Sequence, residues 1–290
     1  MKHAFLITAY TDAKQLKDLI ESLNSTDSFF YIHLDKKSSI QDDEEITSLQ
    51  KLNNVHFIKN SIPVYWGGYS HLQVFLLLMN EASKNKEINY IHTLSGQCYP
   101  IVSRNKIQEF FTENKGKEFI MFTDLSSLNW SGGSFNRIQL YHLNDWFNIR
   151  AKFWKRINSR FLQLQLIFGV KRKLSASFKN YYGGGTWWSL SIDAVKYIQG
   201  VINDTEGLLK KFKHTHCSEE IFFQTILLNS SFKDKIVSDD LRYVDWNTRD
   251  GNCPAILNET DFEQLKNSEK LFARKFASGI SDSLKNKLTG

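Results

Sequence analysis

Apolar residues fall in short runs divided by polar stretches of helix length, and this alternation carries the first half of the chain. Residues 4–9 (AFLITA) form a run of strand length. Leu16, Leu19, Ile20 and Leu23 then recur at helical spacing, which predicts an amphipathic helix. Residues 29–34 predict a second strand that ends at Asp35, and the polar segment 36–50 reads as a loop with an exposed helix. Residues 55–58 predict a short strand. Residues 64–70 (VYWGGYS) read as a glycine turn, with a helix starting at Ser70 and running to about Ser83. Residues 90–94 predict another strand, followed by a turn over 95–100, and residues 119–122 close this half. Strands alternating with helices across short loops predict an α/β fold, a doubly wound and mostly parallel sheet with helices on both faces. Such sheets bind ligands beyond the carboxyl ends of their strands. Asp35 and the 95–100 turn fall at those ends.

The second half has its own punctuation. Residues 181–191 (YYGGGTWWSLS) place three glycines before a strand opened by two tryptophans, with a helix from Asp193 to about Gly200 behind it. Glycines there let backbone approach backbone or ligand closely. Residues 216–227 (HCSEEIFFQTIL) predict the start of a buried helix, with Ser218 as N-cap and Glu219 and Glu220 in the first turn. Adjacent helical residues point about 100° apart, so the two glutamates are expected to face different directions. One reading makes both acidic caps on a core helix. The other makes one a general base, kept ionised at neutral pH by the helix terminus.

The middle of the chain is different again. No acidic residue occurs between Asp145 and Asp193, while Arg150, Lys152, Lys155, Arg156, Arg160, Lys171, Arg172 and Lys173 all lie there. Phe153, Trp154, Ile157, Phe161, Leu162, Leu164, Leu166, Ile167 and Phe168 are interleaved with them. The segment, about 146–175, reads either as a basic amphipathic helix for an anionic membrane surface or as a solvated helix packed on the domain. The formal charge of +6 and pI of about 9.0 suit an anionic ligand or surface without choosing between them. The 22 Phe, 11 Tyr and 7 Trp suit sugar rings as well as cores. Cys98, Cys217 and Cys253 make no disulfide framework or zinc site, and a cytoplasmic location is expected. The first apolar run is too short to span a membrane. No nucleic-acid-binding motif appears, and no linker divides the chain, which reads as one body over 1–290.

Seven motifs in order resemble the core-2/I-branching enzymes, glycosyltransferase family 14. They are residues 31–37 (YIHLDKK), 65–70 (YWGGYS), 90–100 (YIHTLSGQCYP), 183–197 (GGGTWWSLSIDAVKY), 218–225 (SEEIFFQT), 241–246 (LRYVDW) and 271–276 (LFARKF). Three of them, GGGTWWSLS, LRYVDW and LFARKF, look closer to the peptide xylosyltransferases than to the β-1,6-N-acetylglucosaminyltransferases. The resemblance implies a GT-A-like fold, with residues 1–125 as the nucleotide-sugar half and 175–290 as the acceptor and catalytic half. It implies an inverting transfer from a UDP-sugar, N-acetylglucosamine favoured and xylose the alternative, to a glycan acceptor, a lipid-linked one among the candidates. No divalent metal or other cofactor is expected. The chain agrees in having no Asp-x-Asp; the place for it reads Ser95-Gly96-Gln97-Cys98, with Cys98 where the family often has an aspartate.

By the same resemblance Glu220 is the catalytic base, and Arg242 and Lys275 neutralise the donor diphosphate. Thr8 and Asp35 bind uridine. Gly184, Gly185 and Thr186 border the donor sugar, while Arg137 and Trp187 are candidates for acceptor contacts. Core packing is the competing reading for Trp187, and an ordinary strand-end charge for Arg242. A catalytically inactive glycan- or nucleotide-binding protein on the same fold is the rival of a different class.

Overall fold

The computed structural model describes residues 1–130 and 132–289. In chain order its strands are β1 (His3–Ala9), β2 (Ser28–Leu34), β3 (Val55–Phe57), β4 (Tyr90–Ser95), β5 (Cys98–Pro100), β6 (Glu118–Ile120), β7 (Thr123–Asp124), β8 (Tyr182–Gly183), β9 (Trp188–Ser191), β10 (Ile236–Val237), β11 (Arg242–Val244) and β12 (Phe272–Arg274). Seven of them form one sheet in the order β10-β6-β9-β4-β1-β2-β3. All its pairings are parallel except those of β9, which runs antiparallel to both β4 and β6. This is the doubly wound, mostly parallel arrangement expected of a GT-A-like fold.

The alternation along β1 explains the two helical layers. Ala4 and Leu6 face one core with Leu72, Phe75 and Ile226, while Phe5, Ile7 and Ala9 face another with Leu16, Leu19 and Ile20. Strand side chains alternate between faces, so a strand apolar at both sets of positions must be covered on both sides. Helices Tyr69–Ala82, Ile192–Asp204 and Glu219–Leu228 cover the first face; Ala13–Leu23 and Arg104–Glu113 cover the second. Each fully buried Leu, Ile or Phe in these layers contributes roughly 1.5–3 kcal/mol.

Two local expectations change. The helix predicted from Ser70 starts at Tyr69, and its cap comes from a distant residue. The Asp145 carboxylate accepts from Tyr69 N at 2.8 Å and from Ser70 N at 3.0 Å, while the Ser70 hydroxyl accepts from Tyr65 N. The turn expected over 95–100 contains β5, which joins β12 and β11 in a three-stranded sheet. That pairing sets Arg274 opposite Cys98, and Phe276 N donates to Gln97 O at 2.8 Å.

In the large sheet β1 lies between β2 and β4, so the winding reverses beside it. The crevice beyond the carboxyl ends of β1 and β4 is the place such a reversal opens for a ligand. Thr8 stands there, in register with His33 on one side and Ser95 on the other. Among the described residues no helix is long and apolar enough to cross a membrane.

Candidate functional site

The helix Glu219–Leu228 is buried along nearly its whole length. Its start differs from the expected cap. Ser218 already has helical angles (φ −59°, ψ −31°), makes no capping bond, and its buried hydroxyl has no partner. The chain enters instead through Cys217, in the left-handed region at φ 49°. Nor do the two glutamates diverge. Carboxylate oxygens of Glu219 and Glu220 and the Cys217 sulfur lie within 4.8 Å of one another. Long side chains in a first turn can bend back across the angle between their Cα–Cβ bonds.

Each glutamate has a different partner. Glu219 is 3% exposed, with Oε1 2.9 Å from His71 Nδ1 and Oε2 unpartnered. Glu220 is more open, with its side chain 25% exposed, and its Oε2 accepts from Arg137 Nη1 at 2.7 Å. Arg137 in turn lies 3.7 Å over the ring of Trp130. Burial, and then the charge of Glu219, push the Glu220 carboxyl up to about 7, while Arg137 pulls it down. The helix terminus was expected to keep Glu220 well ionised; desolvation and a like charge outweigh it. Cys217, Glu219 and Glu220 are the group among the described residues that could offer three ligands to a cation. They fit one poorly. His71 and Arg137 already engage the carboxylates, and burial and both glutamates hold the Cys217 thiol protonated.

The glycine run is stitched along this helix. Gly184 N donates to Glu220 O at 2.9 Å, and Gln224 Nε2 donates to Gly185 O at 2.8 Å. The Thr225 hydroxyl joins both the amide and the carbonyl of Tyr182, each at 3.1 Å. A Cβ on Gly184 would stand 1.9 Å from Met121 O, so only glycine fits there. Thr186 is partly exposed at the end of the run, and Trp187 is buried, as the packing reading has it. The guanidinium of Arg274 lies 4.9 Å over the Trp187 ring.

Arg242 and Lys275 part company. Arg242 is 4% exposed and faces the interior. Its guanidinium donates to Ser189 Oγ at 2.7 Å, to Thr93 O at 3.0 Å, to Trp188 O at 3.1 Å and to Asp240 O, and burial lowers its pKa to about 10. Arg242, expected at the donor diphosphate, points inward in this structure: its Nη1 and Nη2 tie β4 and β9 to the turn before β11, and its buried Nε has no partner. Lys275 is partly exposed, and its ammonium is pushed down by burial, then by Arg274 and Arg150. Among the described residues no carboxylate pairs with Arg150, Arg274 or Lys275, and the buried Nε of Arg274 has no partner. Three neighbouring cations with no carboxylate paired to them are a candidate group for meeting an anion.

Thr8 is partly exposed at the end of β1. Asp35 is 8% exposed just beyond β2, and its two oxygens accept from Lys37 N at 2.8 Å and Val64 N at 3.2 Å. At the expected Asp-x-Asp position the Cys98 sulfur accepts from Ser95 N at 3.3 Å, so a thiol organises the turn. His71, Arg150 and Arg274 are the residues that sequence reasoning missed. Arg274 stands next to Lys275 in LFARKF, and His71 directly follows YWGGYS, so both were in view. Arg150 belongs to the basic stretch that reads as a membrane-facing or a solvated helix, yet it lies 4.9 Å over Trp66 and within electrostatic reach of Cys217 and Lys275.

This chain belongs to the Core-2/I-Branching enzyme family, which it matches over residues 3–268. It is 25% identical over 253 residues to a xylosyltransferase of Caenorhabditis briggsae, covering 86% of this chain and 29% of that protein. It is also 25% identical over 301 residues to xylosyltransferase 2 of Homo sapiens, covering 96% and 32%. The chain thus spans about a third of the length of these relatives. Among solved structures it is similar to residues 1–349 of TarS from S. aureus, with a TM-score of 0.39 and 14% identity over 82% of this chain and 58% of the other.

Proposed function

We propose that this chain is an inverting glycosyltransferase that moves a sugar from a UDP-sugar to a hydroxyl of a glycan, with Glu220 as general base. The observation that carries the reading is the paired glutamate site: a partly open carboxyl, pushed up to about 7, beside the Gly184–Gly185–Thr186 run. A base works best with a pKa near the working pH. Uridine occupies the crevice at Thr8 and Asp35. The diphosphate meets Lys275 and Arg274, with Arg150 near, and the sugar lies along the glycine run. Glu220 takes the acceptor proton as the acceptor oxygen bonds to C1. The C1–O bond to phosphate breaks with its electron pair, and the cations hold the charge that grows on UDP. Arg137 releases Glu220 as the acceptor arrives and contacts the acceptor itself. Trp187 supports Arg274 from below.

N-acetylglucosamine remains one donor reading; the similarity to xylosyltransferases favours xylose. A glycan on a lipid carrier suits the basic surface, and three free cysteines suit a reducing cytoplasm. No metal enters the proposed reaction, because the turn after β4 offers a thiol and hydroxyls where metal-using relatives of this fold place carboxylates.

The test is UDP release from UDP-xylose and from UDP-N-acetylglucosamine, with mixed glycan acceptors, with and without EDTA. One donor should turn over at a rate EDTA does not change. Loss in EDTA restored by manganese would overturn the metal-free reading. Donor-dependent thermal stabilisation without UDP release would make the chain a binding protein.

A further inference from the structure

We infer that the helix Lys152–Ile167, with Phe168 at its end, seats the protein on an anionic lipid bilayer. The inference goes beyond the proposed reaction and does not depend on it. Gln165 is the one buried residue in this helix. Its side chain accepts from Tyr141 N at 2.8 Å and donates to Tyr141 O at 3.0 Å, while Trp154 stacks on Phe147 with ring centroids 4.1 Å apart. Those contacts fix one side to the domain and leave the apolar stripe outside.

Phe153 is 67% exposed, Ile157 40%, Leu164 52% and Phe168 76%. Their spacing of four, seven and four residues puts them within about 60° of arc on one line of the helix. Arg156 and Arg160 run along one flank of that line, with Lys152 and Lys155 beyond them. None of these four cations forms an ion pair among the described residues. No acidic residue occurs from 146 to 192 to neutralise them. A helix that was merely solvated would not need phenylalanines in water. A second copy of this chain would bring one cationic flank against another. An anionic bilayer satisfies both features: acyl chains take the stripe and headgroups meet the flank.

The helix is also tied to the site. Arg150, two residues before it, lies over Trp66. Arg172, just after it, donates to Ile138 O and Lys211 O. A helix held on a bilayer therefore keeps Arg150, and Ile138 next to Arg137, near lipid-carried molecules.

The experiment is co-sedimentation of the full chain with vesicles of phosphatidylcholine alone, or of equal parts phosphatidylcholine and phosphatidylglycerol, at low and high salt. Two variants are compared: Phe153→Ser/Leu164→Ser/Phe168→Ser, and Arg156→Glu/Arg160→Glu. All five positions are exposed, so thermal midpoints and turnover of a soluble acceptor should be unchanged. The wild type should bind anionic vesicles at low salt and leave them at high salt. Each variant should bind at least about tenfold more weakly. No binding to anionic vesicles at low salt overturns the inference, as does binding that neither variant weakens. So does a wild-type dimer in sedimentation equilibrium that the Phe153→Ser/Leu164→Ser/Phe168→Ser variant abolishes, since the stripe would then join two chains.

Discussion

Glu220→Gln keeps the fold and donor affinity and loses transfer by about a hundredfold or more, the usual scale for removing a general base. The amide has the shape of the carboxylate, and its oxygen can still accept from Arg137 Nη1, now 2.7 Å from Glu220 Oε2. What it cannot do is take a proton from the acceptor. Glu219→Gln is far milder. Glu219 is buried against His71, and in the proposed mechanism it acts only through its charge on Glu220. Equal activity of the two variants would remove Glu220 from the role of base. The measurement is kcat with donor saturating, alongside UDP affinity by calorimetry.

Lys275→Ala and Arg274→Ala each lower kcat on the order of a hundredfold, as loss of one preorganised charge partner does, and weaken donor binding much less. The reason is timing: charge on the phosphate oxygen is largest as the C1–O bond breaks. Arg274→Lys restores only part of the loss, because a point charge cannot reproduce a planar fork stacked on Trp187. Manganese does not rescue Lys275→Ala, since no carboxylate at the turn after β4 is placed to hold it. Arg242→Ala behaves differently and lowers the denaturant midpoint, because its guanidinium ties β4 and β9 to the turn before β11. Near-normal kcat in both Arg274→Ala and Lys275→Ala would mean that another group stabilises the leaving UDP.

Local pattern made the central sheet readable. Apolar runs of strand length gave β1, β2 and β4, because a strand covered on both faces is apolar at every position. The stripe from Leu16 to Leu23 gave its helix because a helix covered on one face is apolar only at helical spacing. Features fixed by distant partners were not readable. The helix Tyr69–Ala82 is capped by Asp145, and β5 is made a strand by β12. Side-chain direction was the other gap. Periodicity places Glu219 and Glu220 about 100° apart and says nothing of their oxygens, which converge. It likewise gave no sign that Arg242 turns inward while Arg274, the residue before Lys275 at the end of the neighbouring strand β12, reaches the Trp187 face. The exposed basic stretch was legible as a helix; its unpartnered apolar stripe needed the burial of each side chain.

The proposed role of Glu220, a base tuned by Glu219 and Arg137, is tested most directly by the pH dependence of kcat/KM for UDP release. A carboxyl pushed up to about 7 must lose its proton to act, so the rate should rise with pH and level off above about 7. Glu219→Gln removes the like charge that favours the protonated form, and its limb should move to lower pH. Arg137→Gln removes the cation that favours the ionised form, and its limb should move to higher pH. A flat wild-type profile, or a limb that neither substitution moves, would contradict the account.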